Sequence, residues 1–212
     1  MSVTAKICGL STPETLDAAL TGGASHVGFV FFPPSPRHLG FDQARALAAR
    51  VPGRVRRVGV FVDPEDALID EALRAGGLDA IQLHRTMPGR VAALRARTGA
   101  ETWAAVAVKT RADLDQARSF AGAANRILYD AKTPDGAALP GGMGVRFDWA
   151  LLDGFRHPLP WALSGGLDAG NVAAAAARTG ATLVDVSSGV EDSPGVKSVD
   201  KIAAFLQSVR RL

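Results

Sequence analysis

The fold is decided by the stretch Leu183-Val184-Asp185-Val186-Ser187-Ser188-Gly189-Val190-Glu191-Asp192-Ser193-Pro194-Gly195-Val196-Lys197, in which an apolar strand runs into a hydroxyl- and glycine-rich turn. A helical pattern resumes at Ser198, so backbone N–H groups can converge at the carboxyl end of the strand and bind a phosphate. One unit upstream, the strand Trp161-Ala162-Leu163 opens in the same way into Ser164-Gly165-Gly166. Two consecutive strands that end in glycine turns are typical of the phosphate site after strands 7 and 8 of a (β/α)8 barrel.

Six strand-and-helix units precede these two along the chain. Their strands are predicted at 4–9, 26–32, 57–62, 80–84, 101–106 and 126–130. Helices are predicted to follow the strands, and a glycine- and proline-rich loop at 132–145 is predicted to be functional. Eight alternating units favour a closed barrel over a doubly wound sheet, and no G-x-G-x-x-G follows the first strand. We therefore predict an α/β fold with a single (β/α)8 domain over residues 1–212.

Composition excludes several classes of protein. The 24 Lys and Arg against 21 Asp and Glu give a net charge of +3 without a basic run, so we predict no nucleic-acid partner. The single cysteine excludes an internal disulfide, and the four histidines show no paired spacing that predicts a metal site. No segment of the signal-peptide kind opens the chain, and no apolar run approaches the about 20 residues of a membrane span. We expect a cytoplasmic protein that does not bind membranes.

Alternation along each strand predicts which side chains face the mouth of the barrel. The inward set at the carboxyl ends is polar except for Leu128 and consists of Lys6, Cys8, Gln82, His84, Leu128, Asp130, Ser164, Asp185 and Ser187. The outward set is apolar and consists of Ile7, Leu83, Ile127, Tyr129, Leu163, Val184 and Val186. This segregation is typical of a barrel active site.

Each candidate residue also has a structural interpretation. Cys8 is compatible with a buried small hydrophobe, and Asp130 with a cap on the loop that follows it. His84 is compatible with a structural hydrogen-bonding group, and Arg37, which follows two prolines, with a surface charge. Asp185 is compatible with an interior ion pair to the lysine of strand 1. The glycine turns after strands 7 and 8 are the least ambiguous feature.

Taken together, an ordered set of short motifs across almost the whole chain resembles the phosphoribosylanthranilate isomerase family. The motifs are Lys6-Ile7-Cys8-Gly9, Gly28-Phe29-Val30-Phe31 with Ser35-Pro36-Arg37, Val58-Gly59-Val60-Phe61, Gln82-Leu83-His84, Asp130, Gly141-Gly142-x-Gly144 with Phe147-Asp148-Trp149, Ser164-Gly165-Gly166-Leu167, Asn171-Val172 and Asp185-Val186-Ser187-Ser188-Gly189-Val190-Glu191. The resemblance implies an Amadori rearrangement in tryptophan biosynthesis. It turns N-(5-phosphoribosyl)anthranilate into 1-(2-carboxyphenylamino)-1-deoxyribulose 5-phosphate without cofactor or metal.

The resemblance also assigns roles to individual side chains. It implies that Cys8 is the general base, Asp130 the general acid, and Arg37 a contact to the anthranilate carboxylate. It implies auxiliary roles at the mouth for His84 and Asp185. The phosphosugar substrate is the one partner it implies, and the sequence leaves a monomer and a homodimer equally open.

Substrate phosphate is expected on the backbone N–H groups of two turns. These turns are Gly165-Gly166 and Ser187-Ser188-Gly189. We further expect that a cation such as Lys6 favours the Cys8 thiolate, and that desolvation or the substrate phosphate keeps Asp130 protonated. Both catalytic groups would then depart from their ordinary titration.

Two positions depart from the family pattern. Arg85 stands where the family usually has glycine, and Met143 replaces a small or hydroxyl residue. Three further functions compete with the isomerase. The first is a related sugar-phosphate isomerase of histidine biosynthesis, or a dual-substrate relative, which would carry an aspartate rather than Cys8 at the end of strand 1. A catalytically silent barrel that binds a phosphorylated metabolite is the second competing function. The third is a redox role for the lone thiol, which has no resolving cysteine.

Overall fold

A computed structural model describes residues 2–133 and 141–212 and confirms the closed barrel. Eight parallel strands pair in sequence order, and β8 closes the sheet by pairing with β1. The strands are β1 (Thr4–Cys8), β2 (His26–Val30), β3 (Arg56–Val62), β4 (Ala80–His84), β5 (Glu101–Val108), β6 (Arg126–Ala131), β7 (Trp161–Leu163) and β8 (Leu183–Val186). Half of the predicted loop after strand 6, residues 134–140, lies outside the described residues.

Helices cover the outside of the barrel. The α-helices are α1 (Pro13–Thr21), α2 (Phe41–Ala48), α3 (Asp66–Gly76), α4 (Pro88–Thr98), α5 (Val172–Thr179) and α6 (Val199–Val209). Thr12 and Ser198 cap α1 and α6 with their side chains, as their positions before the apolar pattern predict. Within the described ranges, no helix combines the length and the apolar character that a membrane span requires.

The segment after β5 is a 3₁₀ helix, Arg111–Phe120, rather than the predicted α-helix. The Asp113 carboxylate accepts the N–H groups of Thr110 at 2.7 Å and Lys109 at 2.9 Å, which draws the chain into a tight first turn. Two shorter 3₁₀ helices, Trp149–Leu152 and Ser188–Val190, follow β6 and β8.

The prediction of a simple turn between β8 and α6 is incomplete. A small antiparallel hairpin lies there, formed by β9 (Glu191–Ser193) and β10 (Val196–Lys197). Pro194 and Gly195 are its central residues, and Gly195 has a φ of +85°. Proline followed by glycine with positive φ is the signature of a type II turn, so the sequence does contain this signal.

The predicted inward and outward faces are confirmed. An apolar layer fills the barrel below the polar mouth and consists of Val58, Ala80, Trp103, Leu128, Ala162 and Leu183. Tyr129, the neighbour of Leu128, points the other way and packs against Phe155 and Trp161. The polar inward residues therefore stand on a packed floor at the carboxyl ends of the strands.

Arg85, at the end of β4, is exposed and has a φ of +53°. This left-handed conformation costs a residue with a Cβ about 1–2 kcal/mol, whereas glycine adopts it freely. We expect Arg85→Gly to unfold with a free energy about 0.5–1 kcal/mol higher than Arg85→Ala, since both lose the side chain and only glycine relieves the backbone. Urea unfolding of the two variants measures this difference, and equal midpoints would contradict it.

Candidate active site

A pocket opens at the carboxyl ends of the strands. The predicted site residues that line it are Cys8, Arg37, His84, Asp130, Gly165, Gly166, Asp185, Ser187 and Ser188. Gly189 lines an adjoining cleft on the side of the β9–β10 hairpin. The structure therefore brings the predicted catalytic, carboxylate-binding and phosphate-binding residues to one mouth.

Lys6 stands at the centre of the barrel, where it is fully buried. Its Nζ donates to Asp185 Oδ1 at 2.9 Å and to Gln82 Oε1 at 3.0 Å. Asp185 Oδ2 accepts a further hydrogen bond from Ser164 Oγ at 3.2 Å. Burial is the largest single effect and would lower the pKa of Lys6, but the charges and hydrogen bonds of Asp185 and Cys8 together outweigh it, and the pKa is raised. Lys6 and Asp185 thus form an interior ion pair at the floor of the pocket.

The same network fixes the tautomer of His84. Gln82 Oε1 accepts from Lys6, so its Nε2 must donate, and this nitrogen lies 2.9 Å from His84 Nε2. His84 Nε2 is therefore the acceptor and Nδ1 carries the proton. Burial, with the charge of Lys6, lowers the pKa of His84 to about 4. His84 is a neutral hydrogen-bonding group here rather than a base.

Asp130 is buried at the end of β6, where its Oδ1 accepts the N–H of Ala131 at 2.9 Å. Burial, followed by the negative charge of Asp185, raises the pKa of Asp130 to about 7. A Cβ at Gly141 would overlap Asp130 Oδ2, and one at Gly165 would lie 3.2 Å from Oδ1. Glycine at these two positions lets both loops close over a carboxyl group that is half protonated in neutral solution.

Cys8, at the end of β1, lies between Val30, Val60 and Phe32. Burial raises the pKa of its thiol, and the opposing effect of the Lys6 cation is smaller. Lys6 does favour the thiolate, as expected, but its effect does not offset burial, so the pKa of Cys8 stays raised. Gly28 pairs with Cys8 in β2, and a Cβ there would stand 3.0 Å from the sulfur. Because Gly28 has no Cβ, the sulfur of Cys8 can lie at the mouth of the barrel.

Arg37, in the loop after β2, is buried rather than exposed. Its Nε and Nη2 donate to the two oxygens of Glu191, each at 2.7 Å. Nη2 also donates to the carbonyl of Gly142 at 2.8 Å. Across residues 2–133 and 141–212, Nη1 has no hydrogen-bond acceptor, and the side chain lines the pocket.

Backbone N–H groups without acceptors stand at the ends of β7 and β8. Gly165 and Gly166 have φ of +92° and +62°, a backbone conformation in which a residue with a Cβ would be strained. Within the part of the chain that the structure describes, the N–H groups of Gly165, Gly166, Ser188 and Gly189 make no hydrogen bond. The carbonyl of Leu167 occupies the place of a Cβ at Gly189, which lets the two loops pack together.

A family model described as N-(5'-phosphoribosyl)anthranilate (PRA) isomerase matches residues 5–208, which include every side chain of this pocket. The chain belongs to the PRA isomerase family. Two similar sequences with that name come from Zymomonas mobilis subsp. pomaceae, 55% identical with 100% of each chain covered, and Rhodospirillum centenum, 53% identical with 97% of each covered.

Solved structures of PRA isomerases share the fold. The enzyme from Thermotoga maritima has a TM-score of 0.87 and is 34% identical, with 99% of this chain and 100% of that chain covered. Another, in complex with reduced 1-(o-carboxyphenylamino)-1-deoxyribulose 5-phosphate, has a TM-score of 0.83 at 33% identity, with the same coverage.

Sequence reasoning missed two buried charges at the mouth of this barrel. Glu191 is the last residue of one of the quoted motifs, but the sequence alone assigns it no role. Lys197 is interpreted from the sequence only as the residue before a predicted helix. The Pro194-Gly195 turn is the signal that folds them back to face each other. The two departures from the family pattern do not belong to this pair of buried charges. Met143 lies at the rim of the pocket and is 49% exposed, and Arg85 does not line the pocket.

Proposed function

We propose that this chain catalyses the isomerisation of N-(5-phosphoribosyl)anthranilate in tryptophan biosynthesis, with Cys8 as general base and Asp130 as general acid. The observation that carries the proposal is their placement around one pocket. Cys8 ends β1 and Asp130 ends β6, separated by β7 and β8 on the shorter path around the barrel. An acid and a base on opposite walls can act on two different atoms of one bound sugar.

Each catalytic group moves one proton. Asp130 donates its proton to the ring oxygen as the C1–O bond breaks and the nitrogen lone pair forms a C=N bond. The Cys8 thiolate then removes the proton from C2, and the electron pair of that C–H bond forms the enolamine, which tautomerises to the ketone. Asp130 ends as a carboxylate and Cys8 as a thiol, so one proton exchange with solvent restores the starting state.

The pKa values of the two groups govern the pH dependence of this scheme. The reaction needs a thiolate together with a protonated acid. Because the pKa of Cys8 is raised by burial while that of Asp130 is about 7, this combination is the minor ionisation state of the empty pocket. A minor productive state still gives a bell-shaped pH profile, whose limbs report the pair rather than either residue alone.

Substrate recognition is proposed at two ends of the pocket. The phosphate binds the unpaired N–H groups of the turns at Gly165-Gly166 and Ser187-Ser188-Gly189. The anthranilate carboxylate binds Nη1 of Arg37, a charge-assisted contact. His84 donates from Nδ1 to the substrate, and Asp185 keeps Lys6 paired beneath it. Fixed positioning of this kind contributes several kcal/mol to catalysis, as effective molarities of about 10⁵ M or more indicate.

Replacing Arg37 tests the carboxylate contact. We expect Arg37→Lys to raise KM by about 10- to 100-fold and to change kcat much less, since lysine keeps the charge but loses the fork of donors. Arg50→Lys, in an exposed ion pair with Asp17, is the matched control and should leave both constants unchanged. An unchanged KM for Arg37→Lys would remove this residue from the carboxylate site.

The remaining assignments concern the protein as a whole. We propose one catalytic domain over residues 1–212, in the cytoplasm, acting on a small phosphosugar without nucleic acid, membrane, cofactor or metal. A similar structure from Thermotoga maritima is described as monomers generated from a dimeric PRA isomerase, at 34% identity and a TM-score of 0.85. A monomer and a homodimer are both compatible with the barrel seen here.

The activity is tested by mixing the protein with freshly made N-(5-phosphoribosyl)anthranilate and following the loss of its anthranilate fluorescence. We expect rapid loss with the wild-type protein. A folded wild-type barrel that leaves the fluorescence unchanged would contradict the proposed function.

A further inference from the structure

The charged cluster behind Arg37 has no part in the proton transfers proposed above. Its members are buried, with side-chain exposures of 6% for Arg37, 4% for Glu191 and 1% for Lys197. We propose that Glu191 and Lys197 are positioning residues, which hold the Arg37 guanidinium in the orientation that binds the substrate carboxylate. This inference rests on the proposed function, because it gives the β9–β10 hairpin a task in recognising one end of that substrate.

Glu191 determines which edge of the guanidinium is presented to the pocket. Its two oxygens engage Nε and Nη2, each at 2.7 Å, and the Gly142 carbonyl takes a further Nη2 proton at 2.8 Å. On the other side, a Cβ at Gly9 would lie only 2.7 Å from Arg37 Cδ, so the stem of the side chain is closely packed as well. A planar group held along one edge and packed along its stem cannot turn, which leaves Nη1 as the donor for a ligand.

Lys197 adds a second cation to the cluster. Its Nζ donates to Glu191 Oε1 at 2.5 Å, and it reaches Ser187 at both the carbonyl (3.0 Å) and Oγ (3.2 Å). Two cations around one carboxylate leave a net charge of +1 beside the pocket. An anionic group of a ligand bound in the pocket can balance this charge.

Ser187 connects this cluster to the opposite end of the ligand. It precedes the Ser188 and Gly189 amides that are proposed to bind phosphate, and Lys197 anchors it by two hydrogen bonds. The group that recognises the carboxylate and the loop that recognises the phosphate are therefore tied to one ammonium. These contacts fix the distance between the group that recognises the carboxylate and the loop that recognises the phosphate.

Two inert ligands separate positioning from general support of the fold. One is reduced 1-(o-carboxyphenylamino)-1-deoxyribulose 5-phosphate, and the other is the same compound with a phenyl group in place of the carboxyphenyl group. In the wild type we expect the carboxylate to tighten binding by about 10- to 100-fold, as expected for hydrogen bonds to a charged group. In Glu191→Gln we expect this ratio of dissociation constants to fall below about threefold, with binding of the phenyl compound almost unchanged.

Asp17→Asn is the matched control, since it makes the same acid-to-amide change in an ion pair with Arg50 on the exposed side of α1. Its ratio should equal that of the wild type. Glu191→Asp keeps the buried charge while withdrawing the carboxylate by one methylene, so it tests position even if Glu191→Gln does not fold. We expect a reduced ratio for this variant as well.

The outcomes are distinct. A wild-type ratio that survives in the folded Glu191 variants, or an equal loss of affinity for both ligands, overturns the positioning role and leaves the proposed function intact. Wild-type protein that binds both ligands equally also overturns it, because the carboxylate is then not recognised. Wild-type protein that binds neither ligand overturns the proposed function and this inference with it.

Discussion

Cys8→Ser is expected to lower kcat by about 10²–10⁴-fold while the reduced product analogue binds as before. Serine nearly preserves the size of the side chain at the end of β1, so the packing against Val30 and Val60 is retained. A hydroxyl is a far weaker acid than a thiol, even a thiol whose pKa burial has raised, so the base is lost. The measurement is kcat by the fluorescence assay, with calorimetric binding of the analogue as the control for an intact pocket.

The pH dependence identifies the role of Cys8 more sharply than the rate does. In the wild type, kcat/KM should rise with pH up to about 7, stay level, and fall only when the thiol has ionised. Without the thiol, only protonation of Asp130 matters, so the residual rate should be level below pH 7 and fall above it. A residual rate that still rises up to pH 7 would show that another group is the base.

The fold and the membership of the mouth follow from local patterns of the sequence. Strand alternation alone places Lys6, Gln82 and Asp185 inward, because side chains of a barrel strand have only two directions available. Glycine turns mark the ends of β7 and β8, since a close backbone approach excludes a Cβ. The hairpin after β8 has a local signal as well, because Pro194-Gly195 favours a type II turn.

What the sequence does not determine is the balance between opposing long-range effects. The pKa of Cys8 depends on whether burial or the Lys6 cation has the greater effect, and only the packed structure shows that burial does. The Arg37–Glu191 pair joins residues separated by 154 positions, so no local pattern reports it. Arg85 is the opposite case. Its backbone has a φ of +53°, a conformation that glycine favours, but an arginine at this position does not predict that conformation from the local sequence.

Asp130→Asn is expected to lower kcat by about 10²–10⁴-fold, because an amide of the same shape cannot give a proton to the ring oxygen. The residual kcat/KM should rise with pH until the Cys8 thiol ionises, without the levelling near pH 7 that the wild type shows. Asp115→Asn, which removes an exposed carboxylate from the 3₁₀ helix, is the matched control and should keep the wild-type profile. A variant profile that still levels near pH 7 would assign that limb to another group.

The same variant should be more stable than the wild type in alkaline solution, and the sign follows from the pKa of Asp130. Folding raises it from 3.8 to about 7, so the folded state binds the proton more tightly than the unfolded state does. Wild-type stability from this group is complete below pH 3.8 and is lost as pH rises through about 7. Asparagine does not titrate, so its advantage should grow over this range towards about 2–4 kcal/mol. Urea unfolding of both proteins at pH 4.5 and pH 8 measures that growth. A constant difference would show that Asp130 is ionised throughout, and a carboxylate that is always ionised cannot serve as the acid.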